Sequence, residues 1–203
     1  AFWLRKNNFE KQICKYVDGN KRIGIGIVYH ITPSNIPTNF AYSFVFGLVS
    51  GNSNVVKLSD SDNFQSNYII KKIDTLFRKK KYKMLRLSNA FIRHGHDESI
   101  NAYLSMKSDI RIMWGGNKTI NLFRKYQINE RAKEITFPDR YSICLINSSY
   151  LKKLDQASFN KVIKNFFNDT YAVDQNACSS PKLVIWIKNK NNDIAKIKNK
   201  FWK

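Results

Sequence analysis

Cys178 and Asn35 are the residues whose type and setting best suit covalent chemistry. Cys178 lies in Asp174-Gln175-Asn176-Ala177-Cys178-Ser179-Ser180-Pro181, a polar small-residue loop between a helical pattern and an apolar strand. A nucleophilic cysteine needs access and surroundings that favour the thiolate, such as helix dipoles or cations. A lone cysteine is also a small hydrophobe that packs well in a core, and the loop alone does not decide between the two. Cys14 falls in a helical pattern and Cys144 in a strand, where both read as core. The three cysteines have no paired spacing and suggest neither a disulfide framework nor a zinc site. Asn35 stands between Pro33 and Pro37. Its amide can donate, with the backbone N–H of Cys178, to the oxyanion formed when a thiolate attacks a carbonyl. It can equally brace a proline-rich turn. Lys57 ends a short β-branched run, and as a residue it is one of many lysines here. Gly115 and Gly116 close a strand and open a helix, where backbone N–H groups meet phosphate or simply make a tight turn. His94 and His96 have no third ligand motif nearby, so no metal site is expected.

These residues are positioned by alternating strands and helices. Apolar patterning predicts a helix over 9–17, a turn at Asp18-Gly19-Asn20 and a strand over 22–31, whose near-continuous apolar run suits a sheet covered on both faces. A buried helix over 38–49 follows, then a strand over 55–58. The capping residues Asp60-Ser61-Asp62 start a helix that runs to about 78. Next come a strand over 87–92, a helix over 97–106, a strand over 109–114 and a helix from 117 to about 126. Such alternation predicts an α/β fold with a mainly parallel sheet. Beyond about residue 140 a second domain opens, with strands over 141–146 and 183–187, a helix through 159–167 and another over 192–201. Gly24 and Gly26 lie inside a strand and lack the third glycine, which rejects a dinucleotide-binding fingerprint there. Open α/β sheets place ligands at the carboxyl ends of their strands, where the Pro33–Pro37 loop, Lys57 and Gly115 fall.

The composition is that of a globular chain: 203 residues, 43% hydrophobic and 14% aromatic. No apolar run reaches the roughly 20 residues of a membrane span, and no secretory signal pattern is present, so a cytoplasmic protein is the expectation. The net charge of +20 is spread along the chain, with one block at Arg78-Lys79-Lys80-Lys81. That block follows an amphipathic helix, where a helix end favours cations, so no nucleic-acid partner is expected. A basic surface also suits an anionic ligand such as coenzyme A or a dinucleotide. The start at Ala1 and the closing Phe201-Trp202-Lys203, an apolar pair with nothing left to cover it, suggest a fragment.

The stretch Pro33-Ser34-Asn35-Ile36-Pro37-Thr38-Asn39-Phe40, the turn Gly51-Asn52-Ser53-Asn54 and the strand Val55-Val56-Lys57-Leu58-Ser59 resemble aldehyde dehydrogenases. Within that superfamily they look closest to the acyl-CoA reductases of the bacterial luminescence, or fatty acid reductase, type. Gln175, Asn176, Cys178 and Pro181 are similar to the nucleophile-bearing segment of the same branch. The resemblance implies a Rossmann-like nicotinamide cofactor domain over 1–140 and the start of a cysteine-bearing catalytic domain over 141–203. It implies Cys178 as nucleophile, Asn35 as oxyanion donor, and Thr32, Pro33, Lys57, Ser59, Gly115 and Gly116 at the cofactor. It implies NADPH as reductant, a fatty acyl-CoA or acyl-protein thioester as substrate, and an acyl-protein synthetase as a plausible partner. A homo-oligomer is expected of the full-length protein.

One departure matters. Hydrolytic aldehyde dehydrogenases carry a glutamate, in a Glu-Leu-Gly-Gly-Lys segment, that activates water against the thioester. Here the region reads Thr136-Phe137-Pro138-Asp139-Arg140, with Glu134 near but out of register. Without that base the thioester survives for reduction, which favours an acyl-CoA reductase making aldehyde. Two alternatives stay open: a related oxidoreductase acting on another acyl donor, and an inactive remnant serving at most as a basic binding module.

Overall fold

The apolar run that ends at Ile31 is the central strand of a five-stranded parallel sheet. A computed structural model describes residues 4–17, 23–172, 174–188 and 194–203 of the chain. They fall into two compact units, Ala1–Pro138 and Asp139–Lys203. The expected turn at residues 18–20, the start of the first strand at Arg22 and the start of the last helix at residue 192 lie outside the described residues.

In the first unit the strands are β1 (Ile27–Ile31), β2 (Ser53–Lys57), β3 (Asn89–Ile92), β4 (Ile110–Trp114) and β5 (Lys133–Phe137). All pair in parallel, in the order β3-β2-β1-β4-β5. Between and before them run α1 (Lys6–Val17), α2 (Asn39–Val49), α3 (Phe64–Phe77), a 3₁₀ turn (Lys80–Tyr82), α4 (Lys83–Leu87), α5 (Glu98–Lys107) and α6 (Asn117–Phe123). Both faces of the sheet are covered, as the buried apolar run of β1 requires. Phe40 and Phe44 of α2 join Val56, Leu58 and Phe91 on one face, with Ile69, Ile73 and Phe77 of α3 behind them. Ile120 and Phe123 of α6 meet Tyr29, Ile31 and Met113 on the other. Each of the fully buried side chains among these contributes roughly 1.5–3 kcal/mol.

Several boundaries differ from the sequence reading. Strand pairing starts at Ile27, because Ile23 and Ile25 project into solvent. Gly26 has φ +145°, and a Cβ there would lie 2.0 Å from the Asp109 carboxylate, which accepts the Ile27 N–H at 2.8 Å. The glycine thus serves the sheet edge. α3 starts at Phe64 with Asn63 as its cap, later than the Asp60-Ser61-Asp62 start expected. The 3₁₀ turn, α4 and β5 have no counterpart in the patterning.

The second unit has two parallel strands, β6 (Ile143–Asn147) and β7 (Leu183–Ile187), with α7 (Ser148–Lys153), α8 (Gln156–Tyr171) and α9 (Ile194–Trp202). Ile146, Leu151, Phe159 and Phe201 form its core. Phe201 is covered, at 3% exposure, by Phe159, Phe166 and Trp186, which corrects the expectation of a bare C-terminal apolar pair. Trp202 remains half exposed. The opposite sheet face, Ile143, Leu145, Leu183, Ile185 and Ile187, is 40–59% exposed. Cys144 points to the core side, where burial and then Asp169 push its thiol pKa up.

Candidate active site

The strand order reverses direction between β1 and β4, and the loops after those strands open the crevice where doubly wound sheets take ligands. The Pro33–Pro37 loop leaves β1 here. Thr32 fixes its start: both its N–H and its hydroxyl donate to the Lys57 carbonyl, at 3.2 and 2.7 Å. The Ser66 hydroxyl fixes its end by donating to the Pro37 carbonyl at 2.9 Å. Two prolines stiffen what lies between. Asn35 is exposed on that braced loop and Pro33 is half-buried at its base.

β2 brings Lys57 and Ser59 to the same edge. Lys57 is half-buried, level with Ile31 on one side and Ile92 on the other. Ser59 exchanges a hydrogen bond with Ser61 at 2.9 Å, and its carbonyl accepts from Arg93 Nε at 3.1 Å. Arg93 also donates to Asn67 Oδ1 at 2.9 Å. Beside them both ring nitrogens of His94 are buried with no hydrogen-bond partner among the described residues. Burial, then the charge of Lys57, lowers the His94 pKa. Sequence reasoning weighed His94 only as a metal ligand and did not single out Arg93. The signal was their place directly after a strand. Among the described residues no cluster of three or more metal-ligating side chains occurs.

Gly115 continues β4 by donating to the Phe137 carbonyl at 3.4 Å, and Gly116 caps α6. Neither has a positive φ. A Cβ at Gly115 would press on Thr119 at 3.3 Å, so close approach to α6 is what the glycine allows. Alongside, Trp114 stacks on Phe137 with ring centroids 3.7 Å apart.

A buried polar chain links this edge to the sheet interior. Trp114 Nε1 donates to Ser43 Oγ at 3.0 Å, and Ser43 Oγ meets His30 Nδ1 at 2.7 Å. His30 Nε2 meets Asn54 Oδ1 at 2.9 Å, and Asn54 Nδ2 donates to Asn89 Oδ1 at 2.7 Å. Asn54 Oδ1 can only accept, so His30 carries its proton on Nε2 and accepts from Ser43 at Nδ1. Every link is satisfied by a neutral imidazole. Burial accordingly lowers the His30 pKa to about 4.

The glutamate of β5 is committed to ion pairs. Glu134 is held by Arg111, itself 2% exposed, and by Arg124 at 2.9 Å. Burial pushes its pKa up, but the two guanidinium groups outweigh this and hold it below the usual carboxylate range.

Cys178 belongs to the second unit, exposed on the loop between α8 and β7. Left-handed Asp174 and Gln175, φ 50° and 59°, turn the chain out of α8. The Ser142 hydroxyl donates to the Cys178 carbonyl at 2.6 Å, and Ser180 Oγ donates to the Asp169 carbonyl at 3.1 Å. Lys182 Nζ donates to the Gln175 carbonyl at 2.7 Å. These contacts hold a short loop that presents the cysteine to solvent. Ser142 is 36 residues from its partner and gave no sequence signal.

Comparison with known proteins agrees with this architecture. A long-chain acyl-protein thioester reductase from Aliivibrio fischeri is 24% identical over 163 residues, covering 80% of this chain and 32% of its own length. The chain thus spans about a third of that relative. Among solved structures it is similar to glyceraldehyde-3-phosphate dehydrogenase GapN from Methanocaldococcus jannaschii complexed with NADP, with TM-score 0.65, 17% identity, 89% of this chain and 37% of that one. A propionaldehyde dehydrogenase variant from Clostridium phytofermentans matches with TM-score 0.64 and 15% identity, over 90% of this chain and 39% of that one. The fold is that of the aldehyde dehydrogenases. Residues 4–202 match the family model described as acyl-CoA reductase (LuxC), and the chain belongs to that family.

Proposed function

We propose that the chain forms the cofactor-binding and nucleophile-bearing part of a reductase that converts a long-chain acyl thioester to an aldehyde. The observation that carries this reading is an exposed, braced Cys178 loop within a family match over residues 4–202. The Cys178 thiolate attacks the acyl carbonyl of an acyl-CoA or acyl-protein thioester. The C–S bond to the donor thiol breaks, the donor leaves as its thiolate, and an acyl-cysteine remains. The Cys178 N–H donates to the oxyanion at the acyl carbon, and Asn35 is assigned the second donor by the resemblance of its loop to the family's, each donor of this kind being worth ~2.7–4 kcal/mol of barrier. A nicotinamide cofactor, proposed as NADPH and held by the first unit, would supply the hydride to the acyl carbon. The acyl C–S bond then breaks, the aldehyde leaves, and Cys178 is restored as thiolate. With Glu134 committed to two arginines, no carboxylate of β5 turns water against the acyl-cysteine.

The first unit fits a nicotinamide dinucleotide. Lys57 and Ser59 stand at the carboxyl edge of β2, where they offer hydrogen bonds to a ribose or its phosphate. Gly115 and Gly116 end β4 and open α6, where backbone N–H groups can meet a pyrophosphate, with Thr32 and Pro33 directly after the neighbouring strand. Arg93, bonded to the Ser59 carbonyl, adds positive charge at this edge, which suits the extra phosphate of NADPH. Domain 1–140 would hold the cofactor and 141–203 would open the catalytic domain. An acyl-protein synthetase would supply the acyl group, and the complete protein would be a cytoplasmic homo-oligomer.

Thermal protection tests the cofactor half of this reading. NADPH should raise the melting temperature of the chain, and Lys57→Ala should lose most of that shift. No shift with either NADPH or NADH would contradict it.

A further inference from the structure

The segment joining α3 to β3 carries a feature the reductase reading does not use. It holds Arg78, Lys79, Lys80, Lys81, Lys83 and Arg86 within nine residues, all exposed. α3 leaves the carboxyl end of β2 and runs back, so this segment lies at the amino-terminal edge of the sheet, opposite Lys57 and Ser59. Its only acid-paired cation among the described residues is Arg78, bonded to Asp74 at 2.8 Å. A helix end accounts for one or two cations, not six. Among them stand bare apolar side chains: Met84 at 73% exposure, Leu87 at 71% and Leu76 at 47%. The 3₁₀ turn and α4 pack against the end of α3, so the charges and the apolar groups share one surface.

We propose that this surface docks on an anionic lipid membrane, with the cations over headgroup phosphates and Met84, Leu87 and Leu76 at the acyl boundary. Clusters of four to eight basic residues are drawn to anionic leaflets, and stable anchoring takes a second, apolar signal. The segment supplies both. Nucleic acid fits less well. It would be bound through cations with aromatic faces for stacking, whereas Tyr82, the aromatic here, is half-buried with Lys81 4.8 Å over its ring. No helix of the described residues is long and apolar enough to cross a membrane, so the association is with the surface.

Co-sedimentation with phosphatidylcholine vesicles, with and without phosphatidylglycerol, tests this on the whole chain. Two variants are compared, Lys79→Gln/Lys80→Gln/Lys81→Gln and Met84→Ser/Leu87→Ser, all at exposed positions, with folding checked by circular dichroism. Binding should require phosphatidylglycerol, fall on the order of 100-fold in the lysine variant, and fall also in the Met84/Leu87 variant. The proposal is overturned by no binding, by binding indifferent to phosphatidylglycerol, or by either variant binding as the parent does. Tight duplex DNA binding that outcompetes the vesicles and ignores Met84/Leu87 would reassign the surface to a polyanion partner. Because the variants avoid the carboxyl edge of the sheet, NADPH protection stays as in the parent, which separates this test from that of the reductase reading.

Discussion

Acidification from pH 7 to pH 5 should cost the chain about 2 kcal/mol of stability through His30 alone. The ring is fully buried, and its two nitrogens are matched to Ser43 and Asn54 only in the neutral form. In the unfolded chain it titrates at the ordinary 6.5, whereas burial in the folded state lowers this to about 4. Between those values the unfolded state holds more protons. The stabilisation is therefore full above about 6.5 and is lost as pH falls towards about 4. His94, also lowered, adds to the loss in the same direction. Urea denaturation followed by circular dichroism at pH 7, 6 and 5 gives the slope. The variant His30→Gln keeps a donor and an acceptor but does not titrate, so its slope should be shallower by about that amount. Long-range imidazole NMR gives the direct readout, a neutral Nε2–H tautomer persisting at pH 5. A His30 ring that titrates near 6.5, or a His30→Gln slope equal to the parent's, would refute the reasoning.

The same chain of hydrogen bonds makes Gly47 sensitive. A Cβ there would lie 2.1 Å from Asn54 Oδ1, so Gly47→Ala should lower stability by roughly 1–3 kcal/mol, read from the urea midpoint. Asn35→Ala should slow acylation of Cys178 by about 10²–10³-fold in a stopped assay of thiol release, leaving NADPH protection intact. An equal loss of both would make Asn35 a brace for its loop and not an oxyanion donor.

Much of the first unit was legible because the burial is local in sequence. β1 declares itself through consecutive apolar residues, and α5 matches the helix expected over 97–106, though its cap, Asp97 accepting from Ile100 N, was not singled out. β5 was not legible, because Lys133-Glu134-Ile135-Thr136-Phe137 is a short edge strand that opens on two adjacent charges and has only two apolar residues. Its glutamate is explained by Arg111 and Arg124, 23 and 10 residues away. The site divides likewise. The stiffness of the Asn35 loop follows from two prolines, but its anchoring by Ser66 and Lys57 needs the tertiary fold. The exposure of Cys178, left undecided by its loop, depends on Ser142 and on the left-handed pair Asp174 and Gln175.

The central claim is that Cys178 is an acyl-accepting nucleophile. Its most direct test is to incubate the chain, and a Cys178→Ala variant, with a long-chain acyl-CoA and map adducts by mass spectrometry of peptides. The account predicts one acyl group on the Cys178 peptide, released by hydroxylamine, and none at that peptide in the variant. Acylation at Cys14 or Cys144 instead, or equal labelling of parent and variant, would contradict it.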